Sequence, residues 1–154
     1  MRVGSGQARH EVRVTSAGMT RAVSPAAIRR AVRLVLARER AGPSTVTVTQ
    51  LSSQRMRALN RRTFGRDRAT DVIAFGMRHV GRLFADVYVC PAVAQRSARG
   101  LGIAAGDELM RLAVHGTLHA LGYDHPAGAA ARVRSVMWQR QERYVAALTG
   151  ERRR

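Results

Sequence analysis

Lysine is absent from this 154-residue sequence, and cysteine, acidic and aromatic residues are scarce. The single cysteine, Cys90, excludes an intramolecular disulfide and is typical of a protein from a reducing compartment. No apolar run approaches the ~20 residues that a membrane-spanning helix needs. The N-terminal "MRVGSGQARHEVRV" also lacks the apolar core of a signal peptide. We therefore expect a soluble, cytoplasmic protein without a membrane segment.

Arginine dominates the charge of the chain. All 27 basic residues are arginine and they face 10 acidic residues, so that the formal net charge is +17. A domain this basic attracts polyanions, and the planar guanidinium group matches the geometry of phosphate oxygens. Codon usage is a sufficient reason for the lack of lysine, and part of the excess charge belongs to the terminal "ERRR". Nucleic acid remains the expected partner. With one Trp, three Tyr and three Phe, base stacking is expected to contribute little beside backbone charge.

The length and the hydrophobic periodicity predict one domain of the α+β class. About four strands are expected to form a mixed sheet packed against several helices, and the short separation of the last two strands favours an antiparallel pair. We expect a disordered N-terminus at 1–9, a single hydrolase-like domain at 10–149 and a basic tail at 150–154. The predicted strands are 10–16, 44–52, 71–77 and 82–90, and the helical patterns are 24–42, 52–62, 91–100, 106–122 and 127–148.

Residues that begin or end helices punctuate these patterns. Ser24 is the expected N-cap of the first helix, with Pro25 at its first position and Gly42 as its stop. Either Ser52 or Ser53 is expected to cap the second helix. Gly100 and Gly122 are expected to end two later helices, Gly122 in a left-handed turn. The segment 63–71, "TFGRDRATD", is predicted to be a loop.

Three of the five histidines fall within "HGTLHALGYDH", residues 115–125. His115 and His119 are four residues apart on a predicted helix, so their rings project from the same face. Gly122 allows the chain to reverse, and His125 can then supply a third nitrogen. Three protein ligands leave a tetrahedral zinc ion with one open position, which is the pattern of a catalytic site. We therefore predict one Zn²⁺ per chain at the C-terminal end of this helix, although nickel, cobalt or iron would also accept three imidazoles.

The spacing H-x-x-x-H-x-x-G-x-x-H is also that of the metzincin peptidases. Those enzymes need a glutamate directly after the first histidine, as the general base toward water. Gly116 occupies that position in this chain. A zinc peptidase is therefore the least favoured of the alternatives.

Three segments in the right order resemble the YbeY family of bacterial ribosomal-RNA maturation factors. They are "HGTLHALGYDH", "LNRRTFGRDRATDVIAF" at 59–75 and "ADVYVC" at 85–90, and the resemblance covers about residues 44–148. It implies a zinc-dependent, single-strand-specific endoribonuclease that acts in ribosomal RNA maturation and ribosome quality control. It also implies single-stranded and ribosomal RNA as substrates, with the small ribosomal subunit or its proteins as partners.

The resemblance also implies roles for individual residues. It makes His115, His119 and His125 the zinc ligands. Polar residues at the ends of neighbouring strands are expected to face the metal across a cleft. The group that takes the proton stays open, because Asp124 can instead orient a ligating histidine. The expected substrate-binding residues are Asn60, Arg62, Thr70 and Asp71. For Asn60, Thr70 and Asp71, turn-building and capping are the alternative roles. The expected catalytic residues are Asp86, Asp124, Arg66 and Arg68.

One position departs from the family pattern. Phe64 stands where the family typically has an arginine that would bind phosphate. Arg62, Arg66 or Arg68 can reach the same space if the loop turns toward the metal. The departure favours a second interpretation, in which the protein is a ribosome-assembly or RNA-binding factor with a largely structural zinc ion.

Overall fold

Four strands form one mixed sheet within residues 9–152, the part of the chain that the computed structural model describes, with residues 151 and 152 described by their backbone alone. The strands are β1 (His10–Ala17), β2 (Ser44–Leu51), β3 (Val72–His79) and β4 (Arg82–Val89). Their order across the sheet is β1-β2-β4-β3. β2 pairs in parallel with both β1 and β4, whereas β3 and β4 form the antiparallel pair that the sequence predicts.

Six helices accompany the sheet in the described part of the chain. Two of them, α1 and α4, pack side by side against one face of the sheet, and α6 packs on them from outside. The predicted α+β class is therefore confirmed. No helix in this range combines the length and the apolar character that crossing a membrane requires. The helices are α1 (Pro25–Arg38), α2 (Ser53–Phe64), α3 (Pro91–Leu101), α4 (Ala105–Ala120), α5 (Ala129–Val133) and α6 (Val136–Arg152).

Alternation along the strands separates the two faces of the sheet. In β2, Val46 and Val48 are buried against the helices, whereas the intervening threonines are half-buried on the opposite face. In β4, Val87 and Val89 face the same core as α4. On the opposite face a smaller cluster around Met56 of α2 covers one end of the sheet. Apolar residues alternate with polar ones in the sequence of the strands because successive side chains point to opposite faces of the sheet.

Helix α4 lies unusually close to the sheet because glycines stand at the contact. A Cβ atom added to Gly116 would lie 2.5 Å from Cγ1 of Val87 in β4. A Cβ atom added to Gly76 in β3 would overlap the carbonyl group of Ala120, whose carbon would be only 2.8 Å away. At both points the backbone of α4 contacts a strand directly, without a side chain of the glycine between them. These contacts fix the end of α4 against β3 and β4.

The predicted start of α1, with Ser24 as N-cap and Pro25 as first residue, is confirmed, whereas two predicted C-terminal helix ends are wrong. Ser24 has a left-handed backbone (φ 48°) and caps α1 only through its carbonyl group, which accepts from the backbone N–H of Ile28. Helix α1 ends at Arg38, before Gly42. Gly100 lies inside α3, and the left-handed residue that ends this helix is Gly102 (φ 66°). Glycine alone does not end a helix, because the end also depends on where the carbonyl groups find other partners.

The prediction for α2 is closer. Ser52 is its N-cap, since its hydroxyl group accepts a hydrogen bond from the backbone N–H of Arg55 at 3.3 Å. The helix continues to Phe64 and ends at Gly65, whose φ of 70° is left-handed. The predicted loop at 63–71 therefore begins two residues later than expected.

The helical pattern 127–148 is not one helix. It divides into α5 and α6 at Arg134 and Ser135. The Ser135 hydroxyl group donates to the Arg132 carbonyl group at 2.7 Å and accepts from the Trp138 backbone N–H at 3.2 Å. Ser135 thus acts as the N-cap of α6 and interrupts an otherwise helical sequence. Helix α6 runs to Arg152 and enters the expected tail at 150–154, whose last two residues lie outside the described range, as do residues 1–8 of the expected disordered N-terminus.

Candidate metal centre

The histidines of the 115–125 segment lie together. The ring centroids of His115 and His119 are 4.6 Å apart, and the His125 ring lies 5.2 Å and 5.1 Å from them. One nitrogen from each ring lies within 4.8 Å of the other two, so that a single metal ion can bind all three. His115 and His119 share one face of α4, as their spacing requires, and His125 follows in the turn beyond the helix.

Gly122 produces the reversal that returns His125 to α4. Its φ of 103° lies in a region that residues with a side chain rarely adopt. Its N–H donates to the His119 carbonyl group at 2.9 Å, and the Tyr123 N–H donates to the Leu118 carbonyl group at 3.1 Å. These two bonds form a Schellman motif, which satisfies the last carbonyl groups of the helix. The predicted end of α4 at Gly122 is confirmed.

Hydrogen bonds hold the rings of His115 and His119 in one orientation. Nδ1 of His115 donates to Oε1 of Gln141 at 2.6 Å, and Nε2 of Gln141 donates in turn to the Glu142 carboxylate at 3.2 Å. Nδ1 of His119 donates to the Tyr123 carbonyl group at 2.9 Å. Because each Nδ1 has an acceptor, each Nε2 keeps its lone pair free for a metal ion, which is the usual arrangement around a ligating histidine.

The turn after α4 orients the third ring more loosely. Nδ1 of His125 donates to the Pro126 carbonyl group at 3.3 Å. The backbone N–H of His125 donates to Oδ1 of Asp124 at 2.8 Å. Asp124 therefore shapes the turn that presents His125, which agrees with the orienting alternative for this carboxylate. Its catalytic role stays a prediction.

The protonation of the rings suits a metal site. Burial lowers the pKa of His115 to about 4, against the opposing effect of the Gln141 hydrogen bond. Burial also lowers the pKa of His119. Both rings are therefore neutral at pH 7, and a neutral imidazole is the form that binds metal. The donor set, the convergence of the three rings and the bonds to Nδ1 all fit a divalent ion.

A cleft of about 570 Å³ opens beside the histidines. Asp71, at the start of β3, and Glu108 of α4 contribute carboxylates to it. Burial raises the pKa of Glu108, and Arg111 opposes this rise. Nε of Arg111 lies 3.6 Å from Glu108, and the same guanidinium group also pairs with Glu142. The arginines that line the cleft in the described chain are Arg111 and Arg132.

Two of the expected polar residues instead build the turn before β3. Oδ1 of Asp71 accepts from the Val72 N–H at 2.8 Å and from the Thr70 hydroxyl group at 3.4 Å. Asp71 also lines the cleft, so both of its expected roles fit its position. Asn60 is buried, and its Nδ2 donates to the Arg68 carbonyl group at 2.9 Å. This bond fixes the loop and leaves Asn60 away from the residues that line the cleft.

The remaining expected residues lie outside the cleft. Asp86 is exposed on the face of β4 opposite α4, next to Tyr88, whose pKa burial and the Asp86 charge both raise. The Arg66 guanidinium group stands over the exposed ring of Phe64, 6.0 Å from its centroid. The charge of Arg62 opposes this rise in the pKa of Tyr88. Within residues 9–152, none of the three arginines expected at the site lines the cleft, and the roles of Arg62, Arg66 and Arg68 stay predictions.

Sequence reasoning missed Gln141 and Glu108. Both are polar residues at buried positions of otherwise apolar helix faces. This break in the apolar pattern was the feature of the sequence that could have identified them. Glu108 lies seven residues before His115, two turns away on the same face of α4. Gln141 interrupts the buried stripe of Met137, Tyr144 and Leu148 on α6. A buried polar group needs a partner, so such an interruption marks a contact with another element.

A hydrogen-bond network joins the metal centre to α1 and α6. The Tyr123 hydroxyl group donates to Oε2 of Glu39 at 2.7 Å, and its carbonyl group holds His119. Tyr144 and Arg140 of α6 donate to the other carboxylate oxygen of Glu39. Burial raises the pKa of Glu39, but the bonds from the two tyrosines and the Arg140 charge outweigh it, so that the pKa is below its ordinary value.

Glu39→Gln should therefore destabilise the protein in a pH-dependent manner. Loss of the charged acceptor should cost about 2 kcal/mol of unfolding free energy at pH 7. Because the folded-state pKa lies below the ordinary 4.5, the contribution is complete above that value and is lost as the pH falls through the folded-state value. Urea unfolding from pH 7 downward measures the difference. Glu11→Gln, at an exposed glutamate of β1, is the control. An equal difference at every pH would contradict the ionic role.

Position 116 bears on the peptidase alternative. Since even a Cβ atom there would meet Val87 at 2.5 Å, α4 leaves no room for a glutamate directly after His115. The close contact between α4 and β4 therefore explains why a glycine occupies position 116. The residue that metzincins use as a base has no place in this packing.

Comparisons with known proteins give a family, related sequences and a related structure. The family model described as "Endoribonuclease YbeY" matches residues 13–149. A protein named endoribonuclease YbeY from Chlorobaculum tepidum is 30% identical over 114 residues, which cover 74% of this chain and 81% of the relative. One of the same name from Thermotoga maritima is 32% identical over 110 residues, 71% of each chain. The solution structure of TM1509 from Thermotoga maritima is 27% identical, with a TM-score of 0.60 over 92% of this chain and 91% of that one. The chain belongs to the YbeY family of endoribonucleases.

Proposed function

We propose that this protein is a zinc-dependent endoribonuclease that hydrolyses single-stranded RNA, with ribosomal RNA as its substrate and the cytoplasm as its place of action. The observation that carries the proposal is the convergence of His115, His119 and His125 beside an open cleft. The names of the relatives supply the reaction class. The net charge of +17 favours a polyanionic substrate, whose binding should weaken with salt.

Zinc is the proposed metal because three imidazoles leave a four-coordinate ion with one open position. Such an ion would supply Lewis-acid activation of water or polarisation of a phosphoryl oxygen. The chain itself contributes orientation: Gln141 and the Tyr123 carbonyl group hold two of the rings. Asp71 is the proposed substrate-orienting carboxylate, because it lines the cleft together with the histidines.

Metal removal and replacement test this proposal. The gently purified chain should contain about one equivalent of zinc and cleave a single-stranded fragment of ribosomal RNA. A chelator should abolish the cleavage, and added zinc should restore it, with a duplex of the same sequence as the control substrate. Less than about half an equivalent of metal would contradict the site as a zinc centre. Cleavage that persists in chelator would contradict the metal-dependent reaction.

A second candidate is an RNA-binding assembly factor of the small ribosomal subunit, with a structural metal ion. The stacking of Arg66 on exposed Phe64 favours it, because this pair directs the loop arginine to the surface. This candidate predicts tight binding to ribosomal RNA without cleavage at any metal loading. The cleavage assay above therefore separates the two.

A further inference from the structure

Arg132 is an exposed cation that lines the cleft and has no side-chain partner among the described residues. It lines the cleft together with the three histidines, and its charge acts on His119. Within residues 9–152, no side chain forms a hydrogen bond or an ion pair with its guanidinium group. Arg111, the other arginine of the cleft, is instead balanced by Glu108 and Glu142. Of the two arginines that line the cleft in the described chain, Arg132 is therefore the one that is free to bind an anion.

Trp138, the single tryptophan of the chain, lines the same cleft. Leu101 and Ile103, at and just beyond the end of α3, line it as well and keep 64% and 36% of their surface exposed. A half-buried indole beside exposed aliphatic side chains is a surface suited to a flat, apolar ring. The composition predicts little stacking, and a single ring in the cleft is sufficient to stack on one base.

The turn between α5 and α6 fixes Arg132 and Trp138 relative to each other. Ser135 donates to the carbonyl group of the first and accepts from the N–H of the second. The backbones that carry the cation and the ring are therefore held by one hydroxyl group. A nucleotide likewise carries a phosphate and a base on one ribose.

We propose that Arg132 and Trp138 form a nucleotide subsite beside the histidine triad, in which the guanidinium group binds a backbone phosphate and the indole stacks on an unpaired base. A base can reach the indole only when it is unstacked and unpaired, so the subsite selects single-stranded segments. It rests on the proposed function only in its choice of RNA as the ligand. Binding at this subsite requires no metal ion, and it can be measured without cleavage.

Binding of a labelled, single-stranded oligoribonucleotide to the chelator-treated full chain tests the cation. Arg132→Ala should weaken binding about tenfold and reduce the slope of log affinity against log salt by about one. Arg134→Ala is the matched control, because it removes the same charge from an exposed residue two positions further along the chain that does not line the cleft. The control should change affinity less than about twofold. Equal effects of the two substitutions, or none from Arg132→Ala, would overturn the subsite.

The ring is tested by substitution and by its own fluorescence. Trp138→Leu should weaken binding about tenfold, whereas Trp138→Phe should keep most of the affinity, since stacking needs an aromatic face. Because Trp138 is the single tryptophan, the emission of the wild-type chain reports on it alone. The single-stranded oligonucleotide should quench this emission saturably, and a duplex of the same sequence should not. An unchanged emission at saturating RNA would contradict stacking whatever the variants do.

The failure of the subsite and the failure of the proposed function give different results. If the chain cleaves RNA in a metal-dependent manner while Arg132→Ala and Trp138→Leu bind and cleave as the wild type does, the subsite is wrong and the function stands. If the chain binds RNA with the predicted losses but never cleaves it, the subsite stands and the function is wrong.

Discussion

His115→Ala should abolish RNA cleavage and metal retention together. His115 supplies one of the three ligand nitrogens that lie within 4.8 Å of one another, and Gln141 holds its Nδ1, so that only two imidazoles of the triad remain in the variant. Loss of a residue that only orients a ligand costs about 10- to 100-fold in metal affinity or activity, and loss of the ligand itself should cost more. We expect cleavage of single-stranded ribosomal RNA to fall more than about a hundredfold. Metal analysis of the variant should show a matching loss of zinc.

His79→Ala is the matched control for this experiment. His79 is an exposed histidine at the end of β3 and is no part of the triad. Its removal should leave both the zinc content and the cleavage rate unchanged. Cleavage that survives in His115→Ala would point to a contaminating nuclease and would remove the main support for an enzyme. Cleavage lost from both variants would mean that the histidine triad is not its specific cause.

Gly76→Ala should be among the most destabilising single substitutions in this fold. The added methyl group would overlap the carbonyl group of Ala120. Backbone on both sides has to move, and overpacking of this kind costs typically 1–3 kcal/mol and occasionally more, so we expect about 3 kcal/mol. The displaced end of α4 carries His119, and metal affinity should therefore fall with stability. Urea unfolding and metal titration measure the two effects.

Gly100→Ala gives the opposite expectation. Gly100 lies inside α3 with nothing within 4 Å of an added Cβ atom. Alanine there should stabilise the protein by about 0.5–1 kcal/mol, because it reduces the entropy of the unfolded chain. If Gly76→Ala and Gly100→Ala changed stability alike, the close contact between β3 and α4 would not be the cause.

The fold class could be predicted because its signals are local. Alternation along 44–52 and the helical period of 106–122 both report which face of an element is buried, and each is read within a few residues. The strand order could not be predicted, because β4 lies between β2 and β3 through pairing between distant segments. The break at Ser135 was also missed, since an N-cap serine inside a helical pattern acts only if its backbone partners are in place.

In the candidate site, too, local spacing could be predicted from the sequence, whereas contacts between distant segments could not. The grouping of His115, His119 and His125 follows from helical spacing and one glycine, and the structure brings these rings together. Gln141 and Arg132 come from segments that follow the motif and reach it only through tertiary packing. The loop around Phe64 was expected to supply a guanidinium group to the cleft. No spacing rule could show that the cleft takes its unpaired guanidinium group, within the described residues, from Arg132 of α5.

Tyr123 forms hydrogen bonds with two different parts of the structure. Its carbonyl group holds a histidine of the triad, while its hydroxyl group completes the buried network of Glu39 between α1 and α6. An ion bound by the triad would therefore help to order a residue that also contacts these helices. An ion that binds only the folded chain stabilises it by RT ln(1 + [ion]/Kd), so that supply of the metal would raise the free energy of unfolding of the whole domain.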